Sequence, residues 1–247
     1  MINAYQAADS AIKYLDFLNS TNGQIQQNIL WQAIFPRLPK NPASKILDAG
    51  CGPGWLAART RKHYPNTQAC DSSEIFIKFA KSRYPNIVFN EAELLQPLPY
   101  SPNFFDVIIL NMVGPDLADL ELALKNVATI LKPGGKLIMT VPSPKFSYPA
   151  AVWKRSIFDV LLGKKPKLIF NPPPVGGQKI AREFSAGKTI PSFYYTIDNY
   201  QKAARSAALT QTMLEEVKSS IDSEKFDLNY QLYRYPLLLL LEFSKVG

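Results

Sequence analysis

Ile46-Leu47-Asp48-Ala49-Gly50-Cys51-Gly52-Pro53-Gly54-Trp55 is an apolar run that closes on an acidic residue, turns through three glycines and opens into a helical pattern. Short apolar runs bounded by glycine and proline suit a buried strand. Glycine lets a chain turn tightly and approach a ligand closely. The helix that follows offers unbonded backbone N–H groups at its start. A nucleotide-type ligand at the carboxyl end of a parallel strand is the general expectation for such a unit. The spacing narrows it. Gly50, Gly52 and Gly54 read G-x-G-x-G, whereas dinucleotide binders use G-x-G-x-x-G. No Lys-Ser or Lys-Thr closes the turn, which excludes a phosphate loop of the nucleotide-triphosphate kind. Asp48 would repel a pyrophosphate but suits a cationic amino group.

Outward from this turn, short apolar runs alternate with helical stretches. The strands expected are KILDA (45–49), TQACD (67–71), NIVF (86–89), FDVIIL (105–110) and KLIMTV (136–141). Helices run between them to Tyr64, to Tyr84 and over 117–131. Strand-helix alternation implies a parallel sheet covered on both faces. Upstream, residues 2–18 and 24–35 are expected as two helices broken at Asn22-Gly23 and closed by Pro36. Residues 142–190 interrupt the rhythm. They are rich in Pro, Gly and Lys, and their apolar patch AVWKRSIFDVLL (151–162) is expected to be helical. The rhythm resumes with a helix over 196–208 and strands near 211–217 and 237–243.

Several segments resemble class I S-adenosylmethionine-dependent methyltransferases. ILDAGCGPG is similar to the family's first motif. Cys70-Asp71-Ser72-Ser73 falls where the family has an acidic residue on the ribose hydroxyls, Phe76 where an apolar residue meets adenine, and Asn90-Glu91-Ala92 where the third strand edges adenine. Glu91 departs from the family's usual Asp. FDVIIL and Leu131-Lys132-Pro133-Gly134-Gly135 resemble the fourth strand and the turn into the fifth. The resemblance implies a Rossmann-like three-layer α/β sandwich around a mostly parallel seven-stranded sheet whose last strand is antiparallel. It also implies S-adenosyl-L-methionine as cofactor. The implied binding residues are Asp48 for the amino end, Ala49, Gly50, Cys51, Gly52 and Gly54 in the turn, Asp71 and Ser72 at the ribose, and Phe76, Glu91 and Ala92 at adenine. Asn111 would lie beside the reactive methyl. The amides of the turn are expected to take the cofactor carboxylate. No residue is assigned as catalytic acid or base, and no metal ligands are assigned.

One domain over 1–247 is expected: a helical cover at 1–40, a cofactor core at 45–141, a lid insertion at 142–190 and the rest of the sheet at 196–247. Apolar residues make up 47% of the 247 residues and charged residues 19%, enough for a sizeable core and too few charges for a disordered chain. Cys51 and Cys70 have no metal-ligand spacing and read as reduced thiols of a cytoplasmic protein. The N-terminus lacks a signal-peptide pattern, and the apolar run 237–241 is far shorter than the roughly 20 residues that span a bilayer.

The single histidine, His63, sits at a helix end expected to point away from the ligand edge, which leaves no histidine as general base. Asn171-Pro172-Pro173-Pro174 reads as a stiff loop, since the N-P-P motif of amino-methylating enzymes belongs directly after the fourth strand. Tyr5, Tyr14 and Trp31 lie on the helices expected to fold over the cofactor. The insertion carries nine Lys or Arg against Asp159 and Glu183, leaving +7 of the chain's net +8, with aromatics between the charges. An anionic small-molecule acceptor, an acidic lipid surface and nucleic acid all suit such a segment. The reading favours a small, anionic or amphiphilic acceptor with a peripheral contact to acidic lipid. RNA or protein methylation through the basic lid is the alternative, and a binding protein without activity the third class.

Overall fold

The computed structural model describes residues 8–146, 148–154, 156–164, 166–185, 188–218 and 234–246. Two helices come first, α1 (Ala8–Asn19) and α2 (Thr21–Ile34). The break lies at Ser20, not at Asn22-Gly23. The Ser20 side chain caps α2 by accepting from the Gly23 amide. Gly23 is needed for closeness: a Cβ there would sit 2.0 Å from the Phe17 carbonyl oxygen. Tyr5 lies outside the described residues.

The sheet elements follow as β1 (Ile46–Ala49), α3 (Trp55–Arg61), β2 (Thr67–Asp71), α4 (Glu74–Arg83), β3 (Val88–Glu91), β4 (Phe105–Asn111), α5 (Leu120–Ile130) and β5 (Leu131–Pro142). The insertion holds β6 (Ala151–Lys154), α6 (Ile157–Leu161), β7 (Lys167–Phe170), β8 (Gln178–Ser185) and β9 (Lys188–Tyr194). The chain finishes with α7 (Ile197–Ser206), β10 (Leu209–Val217) and β11 (Leu238–Lys245). Seven strands form one sheet in the order β10-β11-β5-β4-β1-β2-β3. β1, β2, β3, β4 and β5 are mutually parallel, and β11 runs antiparallel to both β5 and β10. This is the expected Rossmann-like arrangement.

Period-two alternation sorts the strand residues onto two faces. Leu47, Ile108, Leu110, Met139 and Phe243 pack with α5 and α7, while Ile46, Ile109, Ile138 and Leu240 pack with α2 and Leu56 of α3. α5 shows why these segments are helical. Leu120, Ala123, Leu124 and Val127 recur at helical spacing on its buried side, and Asp119 caps it by accepting from the Leu122 amide. It starts three residues after the expected position because Gly114–Asp116 forms a short 3-10 turn first.

Two further differences have local causes. Leu131 pairs with Phe105, but the register then shifts and resumes at Val107 with Lys136, so the Pro133-Gly134-Gly135 turn sits inside β5. The patch 151–162 divides in two. Its first residues pair with β7, and a capping box between Ser156 and Asp159 then starts α6. No helix among the described residues is long and apolar enough to cross a membrane.

Candidate functional site

The sheet order reverses between β1 and β4. Ligands in open parallel sheets bind beyond the carboxyl ends of strands at such a point. Here a cavity of about 780 Å³ opens there. Asp48 ends up at its floor from β1, Asp71 from β2 and Asn111 from β4.

Asp48 is the unusual group. It is 1% exposed, and neither carboxylate oxygen has a hydrogen-bond partner. Burial pushes its carboxyl from 3.8 up to about 7, the backbone N–H of Ala57, which approaches without meeting hydrogen-bond geometry, acts the other way, and the charge of Asp71 adds to the rise. A buried carboxylate without partners is costly in a finished core. It is the natural counter-ion for a cation entering the cavity.

Asp71 is differently placed. Its Oδ2 accepts from the Gly52 amide at 2.7 Å and its Oδ1 from the Ser73 amide at 2.8 Å. Burial raises its pKa, while these amides lower it and nearby Glu93 raises it further. One carboxylate thus ties the glycine turn to the start of α4 and still faces the cavity with its remaining lone pairs.

The turn itself is built by its glycines. Gly50 has φ +73° and a Cβ there would come 2.5 Å from Val113 Cγ2. Its amide and that of Cys51 donate to the Cys70 carbonyl at 2.7 and 2.9 Å, and the Gly54 amide donates to the Cys51 carbonyl. The amides of Gly50, Cys51, Gly52 and Gly54 are therefore committed within the protein and do not offer themselves to a ligand carboxylate, contrary to expectation. Gln26 of α2 lines the cavity.

Of the residues expected at the cofactor, Gly50, Cys51, Gly52, Ser72, Phe76 and Ala92 line the cavity together with Asp48, Asp71 and Asn111. Three do not. Ala49 is fully buried in the core beneath the sheet. Gly54 starts α3 with φ +86°, and a Cβ there would press on the Phe89 ring at 2.9 Å, so its part is packing. Glu91, the last residue of β3, is exposed and does not line the cavity; Glu93, two residues on, does. An acidic residue at both 91 and 93 was visible in the sequence, but which one turns inward depends on where the strand stops.

Asn111 accepts from the Thr140 hydroxyl at 2.7 Å, which fixes its amide at the end of β4. Met112 beside it has φ +64°, a left-handed conformation rare for a side chain of its size. Tyr14 reaches the cavity from α1 and meets Phe76, ring centroids 5.6 Å apart. Trp31 does not line the cavity. It is buried against Phe35 and His63, and the His63 ring, 5.9 Å from it, caps this outer cluster. His63 is accordingly remote from the chemistry. Asn171 is exposed, and its side chain donates to the Pro149 carbonyl, as a loop anchor would. Cys51 and Cys70 are buried free thiols; burial pushes Cys70 to about 12. No cluster of His, Cys, Asp or Glu among the described residues could hold a metal.

The insertion and the strand that closes it also reach the cavity. Lys179 of β8 and Pro191 and Phe193 of β9 line the cavity, along with Phe17, Leu18 and Leu117. Lys179 is the one cation lining it among the described residues. Lys164 and Lys167 are exposed elsewhere. Residues 155 and 165 lie outside the described residues.

Residues 47–139 match the family described as "Methyltransferase domain". This stretch is a methyltransferase domain of the class I fold. The chain is 35% identical over 109 residues to malonyl-[acyl-carrier protein] O-methyltransferase of Herminiimonas arsenicoxydans, covering 42% of this chain and 39% of that protein. It is 25% identical over 150 residues to demethylmenaquinone methyltransferase of Streptomyces griseus, 61% of this chain and 63% of that one. The matches thus span about half the length of these curated relatives. An S-adenosylmethionine dependent methyltransferase from Mesorhizobium loti has the same fold, with TM-score 0.71 over 90% of this chain and 100% of that chain at 20% identity. The methyltransferase domain contains β1 to β4 and most of β5, so every acidic residue on the cavity floor belongs to it. The insertion that supplies Lys179 lies beyond it.

Proposed function

We propose that the protein is an S-adenosyl-L-methionine-dependent methyltransferase whose acceptor is a small molecule with an apolar body and an anionic group. The observation that carries the reading is the buried, unpartnered Asp48 carboxylate beside a glycine turn at the switch in strand order. A carboxylate so placed fits the ammonium of a methionine moiety. Asp71 takes the ribose hydroxyls, Phe76 and Ala92 flank the base, and Gln26 takes the carboxylate. When bound, the cofactor supplies an electrophilic methyl on a sulfonium. The chain's own task is then to hold the acceptor in line with that methyl and keep water out. Asn111, fixed by Thr140, orients polar groups at the meeting point.

The acceptor class follows from the rest of the lining. A cavity of about 780 Å³ holds a cofactor and a small acceptor, not a folded macromolecule. Phe17, Leu18, Leu117 and Phe193 give the cavity apolar lining beyond its acidic floor, Asp116 lies beside Leu117, and Lys179 adds one positive charge. A lone cation beside apolar lining selects a carboxylate or phosphate on an otherwise apolar molecule. Relatives named for malonyl-acyl-carrier protein and trans-aconitate support an acidic acceptor, and one named for demethylmenaquinone an amphiphilic one.

The test is transfer of labelled methyl from the cofactor to a panel of small carboxylates and prenylated phenols, with total RNA and denatured protein alongside. Label should enter an acidic or amphiphilic small molecule. Lys179→Gln should then raise KM for that acceptor by about tenfold or more, the value of one charge-assisted hydrogen bond, and leave cofactor affinity alone. Label entering RNA, with small molecules inert, overturns the acceptor reading.

A further inference from the structure

The insertion carries a second feature that the cavity does not use. α6 has no buried residue. Ile157 is 79% exposed, Phe158 76%, Val160 53%, Leu161 77% and Leu162 66%. Successive helical positions lie about 100° apart, so these five side chains cover an arc of about 200°, and Ser156 and Asp159 occupy the narrower remaining face. A protein groove takes one stripe of a helix. A broad apolar face with a narrow polar edge suits a helix lying in the boundary of a bilayer.

The charge beside it is positive. Lys154 and Lys167 face each other directly across β6 and β7, and both are exposed. Like charges opposed on a sheet are unfavourable unless something neutralises them. Lys164, also exposed, follows α6. Asp159, the acid of α6, accepts from the Ser156 amide and hydroxyl, which together with Lys164 and Lys167 hold its pKa down. Its single charge offsets part of three. None of these residues lines the cavity.

We propose that α6, flanked by the Lys154–Lys167 pair and Lys164, docks the protein on an anionic lipid surface. The apolar tip enters the boundary between headgroups and chains, and the lysines sit over the acidic headgroups. The charge complementarity selects an anionic bilayer over a neutral one, and an apolar face broader than the single stripe a protein groove takes favours a bilayer. The proposal stands independently of the acceptor.

The experiment is vesicle sedimentation of the full chain with phosphatidylcholine alone and with phosphatidylcholine containing a third phosphatidylglycerol. The parent should sediment with the acidic vesicles and much less with the neutral ones. Phe158→Ser/Leu161→Ser should lower partitioning by on the order of a hundredfold, since each side chain loses its burial in lipid. Lys164→Gln/Lys167→Gln should lower it by about thirtyfold, and salt should do the same. All four positions are exposed, so thermal unfolding midpoints should match the parent. Three results overturn the proposal: no sedimentation of the parent with acidic vesicles; equal sedimentation of the Phe158/Leu161 variant; or a parent dimer in light scattering, lost in that variant, with no vesicle binding, which gives the tip to a second copy of the chain.

Discussion

Asp48→Asn should make the ligand-free protein more stable at neutral to alkaline pH and at the same time remove its affinity for the cofactor. The first half follows from linkage. The Asp48 carboxyl sits at about 7 in the fold against an ordinary 3.8. The folded protein therefore keeps its proton where the unfolded chain has lost it. Stability falls as pH rises from the unfolded value toward about 7, and above that the loss is complete. At about 1.4 kcal/mol per unit, the loss is on the order of 4 kcal/mol. Asparagine has nearly the same shape and no charge to desolvate. The variant's unfolding midpoint should stay level across this window, and should exceed the parent's by on the order of 10 °C above it. The second half follows from the missing partner. Deleting one member of a buried charge pair costs about 2–5 kcal/mol, a loss of about thirtyfold or more in affinity. In the parent, cofactor affinity should rise as pH passes upward through about 7, because the ammonium needs the ionised carboxylate. Scanning calorimetry across pH, with titration calorimetry at each end, reads both. A variant with parental stability and parental affinity would remove Asp48 from the site.

Asp71→Ala should cost at least about tenfold in cofactor affinity, from two charge-assisted hydrogen bonds to a vicinal diol at roughly 1.5–3 kcal/mol each. The structure adds a second consequence. The same carboxylate anchors the Gly52 and Ser73 amides, so the alanine variant also releases the glycine turn from α4. A 2′-deoxyribose analogue of the demethylated cofactor separates the two effects. In the parent the analogue should bind more weakly than the ribose form. In the variant the two should bind alike, because the partner of the missing hydroxyl is gone. If the variant still discriminates between them, Asp71 holds the turn and something else holds the ribose.

The sheet was legible because its signals are local and repeated. The run 46–49 carries Asp48 at its end and meets glycines, 107–110 is continuously apolar, and 120–127 places its apolar residues at helical spacing. The cavity floor came with it, since Asp48, Asp71 and Asn111 are the last residues of their strands or close to it. What the sequence hid depends on where elements stop and on pairings between distant residues. Glu91 and Glu93 differ only in which side of a strand end they fall on. The amides of the glycine turn look free until Cys70 and Asp71 are seen to occupy them. The patch 151–162 has helical spacing throughout, yet β7, thirteen or more residues on, claims its first part as a strand. Among nine basic residues in the insertion, only the pairing of β8 with β9 determines that Lys179 reaches the cavity.

The central claim is that this cavity holds a methionine-bearing nucleoside through Asp48 and Asp71. Titration calorimetry of the parent chain with S-adenosylhomocysteine measures it directly, without any acceptor. The account predicts micromolar binding that tightens as pH rises through about 7, and far weaker binding of NAD and ATP, whose phosphates Asp48 repels. No heat of binding at millimolar S-adenosylhomocysteine, with a folded protein in the cell, would contradict it.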